Sequence, residues 1–207
     1  MDRFTTDLKY NFFGRDIVGR LILINCVVFV FVELVRIFLM LFNVPYNPIA
    51  SYLSLPASFG ALMYQPWSLF TYMFMHAGIL HLLFNMLWLY WFGRLFLNFY
   101  SSKHLRGLYV LGGLCGGLLY MISYNIFPYF EGSVEIATLV GASASVLAIV
   151  VATAVREPEF PVQFMFIGTV RLKYVALFMV LFDLLFMTSS NAGGHIAHLG
   201  GAAAGFW

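Results

Sequence analysis

Apolar residues in this chain do not alternate with polar ones; they run together. Between Leu21 and Phe42 only Asn25, Glu33 and Arg36 interrupt the run. Similar stretches cover Ala77–Leu97, Leu108–Phe127, Ile136–Val155, Leu172–Met187 and Ala192–Trp207. Runs of about 20 apolar residues match the thickness of a bilayer crossed by a helix. The pattern therefore predicts an all-α membrane protein with six spans, forming a single domain over residues 1–207. The last run is short for a bilayer and leaves room for a natural chain that continues past Trp207.

Composition supports the pattern. The chain is 62% hydrophobic and 10% charged, where a soluble domain averages about 25% charged residues. The net charge of +2 carries no sign of nucleic acid, so the bilayer is the expected surroundings and no nucleic-acid partner is expected. Cys26 and Cys115 fall in apolar runs and read as free thiols. The run after Arg20 is too long for a signal-peptide core and lacks an obvious cleavage site, so a retained span is expected.

Charge sets the orientation. Arg3, Lys9, Arg15 and Arg20 precede span 1. Arg94, Lys103 and Arg106 lie between spans 2 and 3, and Arg156, Arg171 and Lys173 between spans 4 and 5. Only Arg36 lies elsewhere, three residues after Glu33, at a spacing that suits a structural ion pair. Positive residues stay cytoplasmic, so a cytoplasmic N-terminus is expected, with spans 2, 4 and 6 running inward. The connection Asn43–Met75 is uncharged and rich in Phe, Tyr, Leu and Pro. It is expected in the outer membrane interface. In span 3, Gly112, Gly113, Gly116 and Gly117 are small residues at helical spacing, which favours close helix packing.

Polar groups inside spans are costly and usually mark function. The stretch HAGILHLLFN puts His76, His81 and Asn85 at the outer end of span 2. VGASAS puts Ser143 about seven residues into span 4, and HIAH puts His195 and His198 a few residues into span 6. At about 1.5 Å per residue these groups share a level roughly 5–12 Å beneath the outer surface. A serine hydroxyl becomes a nucleophile when a base, usually histidine, takes its proton, and the reaction needs donors for the developing oxyanion. His81 and Asn85 are one turn apart and can address one oxygen. Gly141 and Ala142 leave space beside Ser143. Competing readings are that Ser145 bonds its own backbone, that Asn85 is interhelical glue, and that His76, His81, His195 and His198 form a metal site. No HExxH motif appears, and neither metal nor cofactor is expected.

These residues resemble the rhomboid family of intramembrane serine proteases. The resemblance rests on PWSLFTYMFMHAGILHLLFNMLWLYWFG, GGLCGG, GASA and AHLGGAAAG, in this order on spans 2, 3, 4 and 6. It implies a six-transmembrane-helix rhomboid bundle with an outer membrane-embedded hairpin loop between spans 1 and 2. Ser143 is similar to the family nucleophile and His198 to its base, a Ser–His dyad. His81 and Asn85 resemble the oxyanion-hole side chains, assisted by the Ser143 N–H. Gly201 and Gly205 would pack span 6 on span 4, while His76, Gly141 and His195 are candidate supporting residues. Two departures stand out: Ala144 ends the usual GxSG, and Leu147 replaces an aromatic ring that packs on the base.

The implied activity is serine endopeptidase cleavage of transmembrane segments of other membrane proteins near the outer face. Such transmembrane-helix substrates are the expected partners. A prokaryotic inner membrane is the expected location. The alternative is a catalytically inactive rhomboid-like protein that binds membrane clients. Asp183, an acid in the outer half of span 5, offers a third triad member on position alone. The resemblance implies a dyad instead, with span 5 away from the base and Asp183 in helix packing.

Overall fold

The computed structural model describes residues 16–164 and 167–207; Arg3, Lys9 and Arg15, on which part of the orientation rests, lie outside them. The described helices are α1 (Ile17–Leu41), α2 (Pro48–Leu53), α3 (Phe59–Tyr64), α4 (Ser68–Thr71), α5 (Ile79–Phe96), α6 (Ser102–Ile126), α7 (Ser143–Arg156), α8 (Leu172–Phe186) and α9 (Ala192–Phe206). Short strands β1 (Leu55–Pro56) and β2 (Thr138–Leu139) pair antiparallel, as do β3 (Pro161–Phe164) and β4 (Gly168–Arg171). Among the described residues, α1, α5 and α6 are long and apolar enough to cross a membrane, and α7 is a shorter apolar helix.

Local chemistry sets the helix ends. The Asp16 carboxylate accepts the N–H groups of Val18 and Gly19, satisfying orphan donors at the start of α1. It also pairs with Arg94 in the last turn of α5 at 2.7 Å, which ties two antiparallel helices at the basic end. Arg36 pairs with Glu33 at 2.6 Å, as their spacing suggests. Ser101 caps α6 by accepting the His104 N–H. That helix starts six residues before the apolar run, because its first turns carry Lys103, His104 and Arg106.

Small residues build the centre. A methyl on Gly112 would lie 2.5 Å from the Ala148 Cβ, and one on Gly116 2.6 Å from the Ala144 Cβ and 2.7 Å from the Ala197 carbonyl oxygen. Methyls on Gly201 and Gly205 would fall on the carbonyl oxygens of Ala144 and Ala148. Helices α6, α7 and α9 therefore touch backbone to backbone, which only residues this small permit. Around this centre α1, α5 and α8 turn Val30, Phe31, Leu34, Phe38, Leu80, Phe178 and Leu185 outward, all well exposed. Such surface suits lipid rather than water.

One expectation changes. The run Ile136–Val155 is not one helix: residues 138–139 are strand, and α7 begins only at Ser143. The Leu139 and Thr138 backbones pair with Leu55 and Pro56. Ala57 also donates its N–H to Ala137 O at 3.0 Å. The connection between α1 and α5 folds as short helices, and its strand β1 pairs with β2.

Candidate active site

Gly141 shapes the approach to Ser143. Its φ of +134° lies where side chains are rarely tolerated, and a Cβ there would sit 3.0 Å from the His81 ring. The Gly141 N–H donates to Tyr72 O at 3.0 Å, and the Tyr72 hydroxyl donates to Gly113 O at 2.5 Å. The segment before Ser143 is thus pinned to the connection and to α6. Ser143 is the first residue of α7 rather than lying seven residues inside a span. That position suits the chemistry, because the first N–H groups of a helix lack intrahelical acceptors and carry the positive end of its dipole.

The imidazole that faces Ser143 comes from α9. His198 Nε2 lies 2.6 Å from Ser143 Oγ, and its Nδ1 lies 2.8 Å from Asp183 Oδ1 on α8. The expectation that Asp183 packs away from the base does not hold. Its side chain is buried, and the same Oδ1 also contacts His195 Nδ1 at 2.8 Å. One turn of α9 carries both rings at i and i+3, so both address one carboxylate. A lone acid in the apolar sequence of α8 was the available signal for this contact.

Asp183, His195 and His198 each offer a possible metal-ligand atom, all within 4.8 Å of one another. The two 2.8 Å separations are hydrogen-bond distances. One carboxylate oxygen in contact with two ring nitrogens accounts for these distances without an ion.

Opposite the base, α5 supplies donors. The Ala77 N–H points at His81 Nδ1, 3.4 Å away. Nδ1 as acceptor leaves the proton on Nε2, the atom beside Gly141. Asn85 donates one amide hydrogen back to the His81 carbonyl at 2.8 Å, and its second remains for a ligand. His76 is buried and packs edge-on to His81 with centroids 5.1 Å apart. It props the donor rather than joining the site. Ser145 Oγ is buried and unpaired instead of bonding its own backbone.

His81, Asn85, Ser143 and His198 line one cleft of about 260 Å³, walled by Trp88 of α5 and Met179 of α8. A hydroxyl against an imidazole, with donors across an apolar cleft, has the parts for acyl transfer. A Rhomboid domain model matches residues 63–207. The chain belongs to the rhomboid family. The match spans α5 to α9 and so contains every residue of the cleft. The RHOMBOID-like protein 12, mitochondrial, of Arabidopsis thaliana is 29% identical over 145 residues, covering 66% of this chain and 43% of that protein. This rhomboid therefore spans less than half the length of that curated relative. Family and apolar helices make it an integral membrane protein. The relative's mitochondrial name gives the expected prokaryotic inner membrane no support.

Proposed function

We propose that this rhomboid is an intramembrane serine endopeptidase that cleaves transmembrane segments of other membrane proteins near the outer face. The observation that carries the reading is the 2.6 Å contact between His198 Nε2 and Ser143 Oγ inside the cleft. The proposal includes six membrane-crossing helices, a cytoplasmic N-terminus, and a connection between α1 and α5 seated in the outer interface. Met63 and Tyr64 of α3 support that seat, because both are more than four-fifths exposed on an uncharged segment.

In the reaction, His198 Nε2 takes the proton of Ser143 Oγ as the oxygen bonds to the substrate carbonyl carbon. The developing oxyanion accepts from the Ser143 N–H, His81 Nε2–H and Asn85 Nδ2–H, donors fixed before the charge appears. Collapse breaks the peptide C–N bond, and the imidazolium returns its proton to the leaving amine. Water then attacks the acyl group with His198 again as base, releasing the carboxylic acid and restoring Ser143. The substrate helix must unwind locally to present its peptide bond, which favours substrates with weak helical propensity at the cut.

A fluorophosphonate tests this reading, since it forms a covalent bond with an activated serine. Wild-type protein in detergent or nanodiscs should label, and Ser143→Ala should not label while melting normally. An unlabelled wild-type protein, or equal labelling of the variant, would refute the serine mechanism and leave the client-binding alternative.

A further inference from the structure

His198 does not stand alone with Ser143: its far nitrogen ends on Asp183 Oδ1, and so does the Nδ1 of His195, each at 2.8 Å. We infer that Asp183 and His195 are positioning residues of the proteolytic site. Asp183 orients His198, and His195 holds Asp183. The inference rests on the serine-protease reading.

The hydrogen-bond roles follow from the donor inventory. An ionised carboxylate only accepts, so both ring nitrogens facing Asp183 must donate. With its proton on Nδ1, neutral His198 presents an unprotonated Nε2 to Ser143, the tautomer that can accept the hydroxyl proton. When that proton arrives, the imidazolium has a negative partner already in contact. Burial strengthens the interaction, because Asp183 is 4% exposed.

His195 does the same work one step back. Its N–H occupies the Oδ1 that His198 also uses, so the carboxylate cannot swing away without breaking two contacts. The His195 ring is gripped by Phe182 and Phe186 of α8, with centroids 5.8 and 6.0 Å away. This replaces a hold that the sequence lacks nearer the nucleophile, where Leu147 offers no aromatic face to the base. The other groups facing His198 are Ser143 of α7 and His81 of α5, which interacts electrostatically with it. Among the described residues that line the cleft or touch its base, Asp183 is the acid.

The test measures fluorophosphonate labelling of the full chain over a range of probe concentrations. This separates the limiting rate from the half-saturating concentration. Asp183→Asn keeps size and an acceptor but brings no charge to the imidazolium. Its limiting rate should fall by about 10²-fold or more, towards the roughly 10⁴-fold seen for the comparable change in a serine triad, with half-saturation unchanged. His195→Leu removes one donor and should slow the limiting rate by about threefold to tenfold. His195→Gln, whose amide can still donate, should restore most of it. A packing role alone would not distinguish glutamine from leucine in this way.

A limiting rate for Asp183→Asn within about threefold of wild type, in folded protein, would overturn the role of Asp183. Equal rates for His195→Leu and wild type would overturn that of His195. If Asp183→Asn fails to fold, the leucine and glutamine pair decides the question, since both leave the carboxylate in place. Failure of wild-type protein to label would instead sink the protease reading itself.

Discussion

Gly201 of α9 lies directly against the carbonyl oxygen of Ala144 in α7, with no space between them for a Cβ. Ala144 follows Ser143, and Gly201 lies three residues after His198, so this contact sets how closely His198 and Ser143 approach. Gly201→Val must push α9 off α7. Overpacking of this kind costs about 1–3 kcal/mol, and the added separation removes the 2.6 Å hydrogen bond. We expect a lowered melting temperature together with complete loss of fluorophosphonate labelling. Normal labelling by the variant would show that this contact does not set the spacing of α7 and α9.

Gly141 gives a separable case. Its φ of +134° is strained for alanine, and the added methyl would meet the His81 ring at 3.0 Å. The strain is worth about 1–3 kcal/mol, but its effect falls on the donor side of the cleft and spares the packing of α7 on α9. Gly141→Ala should lower the labelling rate much more than it lowers the melting temperature. Measuring both in one preparation checks this, and a variant with wild-type labelling would remove the need for the left-handed conformation.

Most helices were legible because a bilayer demands long apolar runs, and hydropathy reads that demand. The errors have the same source. Within the apolar run Ile136–Val140, Thr138 and Leu139 pair with the connection as strand, yet the hydropathy of the run matches that of the helix that follows. Only Gly141 marks the break. At the start of α6, Lys103, His104 and Arg106 are helical but polar, so a hydropathy scan begins the element too late. The pairing of Ser143 with His198 was approachable from sequence because both lie at one level on helices made close by glycine. The contact of Asp183 with His198 was suggested by position but not decided, because it depends on which face of α8 turns towards α9. That orientation is decided by tertiary packing of residues such as Phe182 and Phe186 on the His195 ring.

Asn85 of α5 lines the cleft beside Ser143 and His198. In the resting site one of its amide hydrogens is spent on the His81 carbonyl at 2.8 Å. The other is free to meet an oxyanion. Asn85→Ala removes that donor, a change worth about 10²–10³-fold in turnover for a comparable serine enzyme. Here the Ser143 N–H and His81 Nε2–H remain, so we expect a loss nearer the lower end, with melting little altered. Asn85→Asp separates hydrogen bonding from space filling. Aspartate has nearly the same shape, but as a carboxylate it donates nothing and sets a negative charge beside the developing oxyanion. It should therefore be worse than alanine, although alanine leaves the larger void. Labelling rates for the three proteins at saturating probe give the order asparagine, alanine, aspartate. If aspartate matched asparagine, Asn85 would serve packing alone, and stabilisation of the oxyanion would rest on His81 and the first turn of α7.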